Sequence, residues 1–118
     1  MTVVAPPPPA MHVGDLDGAS MATQKSWNAN VTIEVHTESH GSAGDVAVSG
    51  TWDDRSTATC TTNGSGRCTV SRAGIPRQTS SLSFTVTSAI HSTFVFSPGR
   101  NHDVEGDSNG TTIVIRRQ

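Results

Sequence analysis

The sequence predicts an all-β protein built as an antiparallel sandwich, and two observations carry the prediction. Val, Thr, Ser and Gly dominate a chain of 118 residues in which Leu occurs only at positions 16 and 82 and Tyr is absent. That composition suits short strands and turns and disfavours helices. Apolar residues also alternate with polar ones in short runs punctuated by turn signals, and no stretch carries a helical period.

Taken in order, residues 1–10 read as a linker, because Pro6 to Pro9 favour an extended polyproline II spacer. A spacer at the amino end implies that another domain precedes the folding unit, residues 11–118. Met11–Val13 is a short first strand. Trp27–Thr37 alternates cleanly, with Trp27, Ala29, Val31, Ile33 and Val35 on one face. His40–Gly44 turns the chain. Val46, Val48, Gly50 and Trp52 line the core face of the next strand. Ala58–Thr61 and Cys68–Ser71 flank Asn63–Gly64 and read as a hairpin. Gly74–Pro76 breaks the chain. Leu82, Phe84 and Val86 form another alternating face, Phe94 and Phe96 begin a strand, and Thr111–Ile115 closes the domain with Ile113 and Ile115 inward. Seven or eight short strands at regular spacing fit an immunoglobulin-like β-sandwich. Its core is small, so a disulfide and a bound cation are the reinforcements to look for.

The net charge of −2 gives no electrostatic case for nucleic acid or an anionic membrane surface. No stretch approaches the ~20 apolar residues of a spanning helix. The two cysteines, Cys60 and Cys68, sit on the arms of the expected hairpin, where facing strands reach disulfide geometry if the register cooperates. Without a CxxC partner pair or nearby histidines they make a poor zinc site. A disulfide implies an oxidising compartment, hence secretion.

Two acidic, glycine-punctuated stretches bracket the folding unit. Gly14–Gly18 and Asp103–Gly110 hold five of the ten carboxylates. Alternating Asp and Asn oxygens closed by Gly suit a hard cation such as Ca²⁺; the same residues also make ordinary polar turns. The second stretch places Glu105, Asp107, Asn109 and Gly110 at the first, third, fifth and sixth positions of an EF-hand loop. The twelfth position is Arg116, which cannot ligate a cation, so the EF-hand reading fails. A two-loop site remains, in which Asp15, Asp17, Asp103, Asp107 and Asn109 converge on one Ca²⁺, because the first and last strands of a sandwich tend to meet. His12 and His102 each flank an acidic stretch and orient the carboxylates or pack on strand ends. His36 and His40 read as solvated surface residues.

The run Asp45–Trp52 (DVAVSGTW), followed by Thr61–Val70 (TTNGSGRCTV), resembles the V-x-G-x-W … T-T-(D/N)-x-x-G-x-(C/A)-x-V pattern of bacterial immunoglobulin-like modules. His12–Gly18 (HVGDLDG) and Asn101–Gly110 (NHDVEGDSNG) are similar to the opening and closing runs of modules found carboxy-terminal to the catalytic domains of secreted bacterial enzymes. The resemblance covers residues 11–115. It implies an accessory or spacer domain and names no substrate; the expected partner is a parent catalytic domain in cis, with the module itself a monomer.

Independent catalysis is not expected. Neither a Gly-x-Ser-x-Gly elbow nor a His-Glu-x-x-His run occurs. Two rivals to the accessory reading are a carbohydrate- or polymer-binding module, which an exposed Trp on a flat face supports, and an adhesin-type surface repeat. Only five aromatics occur, two Trp and three Phe, and alternation places most of them inward.

Overall fold

The computed structural model describes residues 9–38, 41–102 and 108–117. Eight strands lie among them: β1 (Ala10–Ala22), β2 (Ser26–Thr37), β3 (Ala47–Trp52), β4 (Thr57–Thr61), β5 (Arg67–Pro76), β6 (Ser81–Ile90), β7 (Val95–Phe96) and β8 (Thr112–Arg116). They form two four-stranded sheets in the orders β5-β2-β1-β7 and β4-β3-β6-β8. All pairings are antiparallel except the two-residue β1–β7 ladder. The all-β sandwich expected from the alternation is present. None of the described helices is long and apolar enough to cross a membrane.

The alternation sets the core. Trp27, Ala29, Val31, Ile33 and Val35 of β2 are at most 1% exposed and meet Val48 and Trp52 of β3, Leu82, Phe84 and Val86 of β6, and Ile113 and Ile115 of β8. The Trp52 and Phe84 rings pack with centroids 4.9 Å apart, and Trp27 Nε1 donates to the Thr79 carbonyl at 2.9 Å. Both tryptophans are fully buried, so neither supplies an aromatic platform for a glycan.

Three expectations about the elements need correction. Gly14–Gly18 is not a loop after a short strand: β1 runs through it and pairs with β2 from Met11↔Thr37 to Ala22↔Trp27. A bulge between Val13 and Asp15 resets the strand's period, which turns Leu16 inward and Asp15 and Asp17 to the outer face. β5 does not break at Gly74. It continues to Pro76, absorbing Gly74 at φ +69° where its ladder with β2 shifts register, and Pro76 is tolerated because β5 is an edge strand.

The cysteine arms, finally, are not facing strands of one hairpin. The turn is hairpin-like, with Gly66 N–H donating to the Asn63 carbonyl and Asn63 N–H to that of Arg67. Beyond it the arms splay, β4 to pair with β3 and β5 with β2. The Cys60–Cys68 disulfide, with Cα atoms 5.8 Å apart, therefore ties the two sheets together.

The outer faces of the two sheets differ in chemistry. On the β4-β3-β6-β8 sheet the outward positions are Thr57, Thr59 and Thr61; Ala47, Ser49 and Thr51; Ser81, Ser83, Thr85, Thr87, Ser88 and Ile90; and Thr112, Val114 and Arg116. Hydroxyls bond across this face, Ser49 Oγ with Thr59 Oγ1 at 3.2 Å and Thr85 Oγ1 with Thr112 Oγ1 at 3.0 Å. The other sheet carries Asp15, Asp17, Glu34, Arg67 and two histidines on its outer face.

Candidate metal centre

Strand register begins the site. β1 and β2 pair His12 with His36 and Asp15 with Glu34, which puts all four side chains on the outer face of their sheet. The connection between β7 and β8 then brings a third histidine. Val95 N–H donates to the Pro9 carbonyl, Ser97 N–H to that of Met11 and His102 N–H to that of Val13, so residues 95–102 are lashed alongside residues 9–13. Asn101 completes the strap. Its Oδ1 accepts from Val13 N–H at 2.8 Å and its Nδ2 donates to Thr111 Oγ1 at 3.0 Å, so one side chain satisfies the bulge of β1 and holds the approach to β8. Gly110, at φ +85°, lies against the His102 peptide, where a Cβ would collide with backbone.

The result is a cluster of His12, His36 and His102, with one possible ligand atom from each within 4.8 Å of the others. The His12 ring stands edge-on to that of His36 at 6.0 Å and tilted to that of His102 at 5.0 Å. His12 is 3% exposed, whereas His36 and His102 are half-buried.

The hydrogen bonds around the cluster set its tautomers. A carboxylate only accepts, so His36 Nε2–H donates to Glu34 Oε1 at 2.9 Å, and the lone pair of the neutral ring resides on Nδ1. A carbonyl likewise only accepts, so His102 Nδ1–H donates to the Arg100 carbonyl at 3.2 Å and Nε2 carries the lone pair. Glu34 also accepts from Arg67 Nε at 3.4 Å. The bond from His36, more than Arg67, holds the Glu34 carboxyl below its usual range, against a burial effect that raises it. Such carboxylate–imidazole and carbonyl–imidazole pairs are the outer shell that orients ligating histidines.

His12 and His102 also line a recess of about 310 Å³ with Glu38 and Arg100, which form an exposed ion pair at 3.7 Å across its rim. The cluster thus opens to solvent on one side and rests on the sheet on the other. Imidazoles from three segments can hold a cation or relay a proton; among the described residues no hydroxyl or thiol lines the recess.

The expected calcium ligands are placed as follows. Asp15 is buried and Asp17 half-buried on β1, both on strand rather than in a loop. Asn109 Oδ1 accepts from Thr111 N–H at 2.9 Å and Thr112 N–H at 2.8 Å, in a turn that starts β8. Asp103 and Asp107 lie outside the described residues, as do His40 and Glu105. The expectation of a solvated His36 is corrected: its side chain is 13% exposed and packs in the cluster. The only sequence signal for the cluster was the position of His12 and His102 beside acidic stretches. The chain matches no family model, no curated protein and no solved structure.

Proposed function

We propose that this chain is a non-catalytic accessory module of a secreted bacterial protein, an immunoglobulin-like sandwich whose first strand and last crossover are stapled by a divalent cation. The single observation that carries the reading is the convergence of His12, His36 and His102 from β1, β2 and the β7–β8 connection within 4.8 Å. Three parts of the chain distant in sequence meet at one spot, so an ion there fixes the tertiary arrangement. The strand order supports the immunoglobulin-like part: a first, second and fifth strand share one sheet while a third and sixth pair in the other. The inter-sheet disulfide supports an oxidising, extracellular setting. Calcium bound by Asp15, Asp17, Asp103, Asp107 and Asn109 is one form of the staple. The partner is then a parent catalytic domain in cis, and the module acts as a monomer.

Melting curves of the full chain after chelator treatment, with and without added divalent ions, test this. A cation staple raises the melting temperature; at free ion about 100 times its dissociation constant the gain is about 2.7 kcal/mol, several degrees for a domain near this size. Superimposable curves for every ion tried overturn the reading.

A second reading, binding to a neutral polymer such as a polysaccharide, is favoured by the hydroxyl-rich outer face of the β4-β3-β6-β8 sheet. Co-sedimentation with insoluble polysaccharides, lost on replacing Thr59 and Thr85 with Asp, tests it. Failure to co-sediment with any neutral polymer removes it.

A further inference from the structure

We infer that the three histidines form a site for a borderline transition-metal ion, Zn²⁺ or a close relative such as Co²⁺, and that the staple is this ion and not Ca²⁺. The inference deepens the preceding reading and rests on it. Donor chemistry comes first. Calcium takes six to eight oxygens, whereas neutral imidazole suits zinc, cobalt, nickel and copper. Among the described residues the metal-ligating side chains that cluster here are histidines alone, and neither Asp15 nor Asp17 joins the group.

Geometry agrees. Three nitrogens bound at about 2.0–2.1 Å in a tetrahedral arrangement stand roughly 3.4 Å apart. The present spread, within 4.8 Å, closes to that with ring movements of about 1 Å. Outer acceptors are in place: Glu34 accepts from His36 and the Arg100 carbonyl from His102, the kind of partner that orients a ligating ring. The approach is open as well, since two of the ligands line the recess at Glu38 and Arg100, through which an ion enters and a water completes the coordination. Three protein ligands plus solvent is the pattern of an open zinc site.

The test uses the full chain, stripped with chelator, and titrates Zn²⁺, Co²⁺ and Ca²⁺ by calorimetry. The visible spectrum of the Co²⁺ form reports coordination number directly. Expected are one Zn²⁺ per chain, intense d–d bands of four-coordinate Co²⁺ abolished by equimolar Zn²⁺, and no displacement of either ion by millimolar Ca²⁺. His12→Ala and His102→Ala each weaken Zn²⁺ binding at least a hundredfold. Glu34→Gln weakens it about 10–100-fold by loosening the orientation of His36. His91→Ala, whose ring is engaged with the Thr93 and Phe94 amides, leaves affinity unchanged. Should a histidine variant fail to fold, the Co²⁺ spectrum of the unmodified chain still decides: pale six-coordinate bands overturn the inference. If Ca²⁺ stabilises the chain and Zn²⁺ does not, the inference falls while the cation-staple reading stands. If no ion binds, both fall.

Discussion

The imidazole of His36 occupies the space that a side chain at position 14 would need: an ideal Cβ on Gly14 collides with the ring, nearest Nδ1. The bulge of β1 and the tilt of its partner's histidine are therefore one arrangement. Gly14→Ala should displace His36 and cost about 1–3 kcal/mol, the usual range for overpacking. Chemical denaturation of Gly14→Ala, His36→Ala and the double variant checks this. In the double variant the collision is gone, so the two effects must fall well short of additive. Additive losses would show that Gly14 serves the strand for some other reason.

Asn101 bridges β1 and the start of β8 with one amide. Asn101→Ala leaves the Val13 N–H without its acceptor, and orphaning such a donor costs about 1–3 kcal/mol. Urea denaturation should show the loss, and amide exchange at Val13 should accelerate with it. Unchanged exchange at Val13 would refute the strap.

The Cys60–Cys68 link closes a short loop, so the chain-entropy argument gives about 2–3 kcal/mol of stabilisation. Alkylation under denaturing, non-reducing conditions should add no mass, and addition of reductant before alkylation should add two groups. The Cys60→Ser/Cys68→Ser variant should fold with a lower denaturation midpoint.

Trp52 is 1% exposed and packs on Phe84. Trp52→Ala should destabilise by about 3–5 kcal/mol, the range for deleting a large buried aromatic. A loss within error of zero would place the ring at the surface, and the polysaccharide reading would gain from that.

Acid stability should report on Asp54. Hydrogen bonds from the Ser56 hydroxyl and amide, followed by the Arg72 guanidinium, lower its carboxyl pKa to about 2. Between that value and the ordinary one near 3.8, the unfolded chain binds the proton and the folded chain does not. Stability from this group is therefore complete above about pH 5 and is lost as pH falls through the folded pKa of about 2. The difference in stability between the parent and Asp54→Asn should be flat from about pH 5 upward, shrink as pH falls through the folded pKa of about 2, and vanish below it. A difference that persists unchanged well below the folded pKa would assign the effect to something other than the charge.

Much of the fold was legible because β2, β3 and β6 keep strict alternation: Trp27 to Val35, Val48 to Trp52 and Leu82 to Val86 are inward as the pattern requires. β1 was not, because Gly14, Asp15 and Gly18 are poor strand formers and the bulge shifts the inward parity between Val13 and Leu16. The pairing of Cys60 with Cys68 was readable, but their placement in different sheets was not. A turn sequence states that the chain reverses and says nothing about which neighbour each arm adopts. The histidine cluster was hidden for the same reason at longer range. His12 meets His36 only through the β1–β2 register, and His102 arrives only because Asn101 finds the one bulge on β1.

The hydroxyl-covered face of the β4-β3-β6-β8 sheet has a consequence for how the molecule senses its medium. Its outward positions carry no group that titrates near neutral pH, Arg116 being a permanent cation, so acidity leaves that side unchanged and counter-ion screening, which acts over about 8–10 Å at ordinary salt, bears there on Arg116. All titratable chemistry of the two outer faces is gathered on the opposite side, apart from Arg116 at the end of β8. A change of acidity therefore re-tunes one side of the module while the other stays constant.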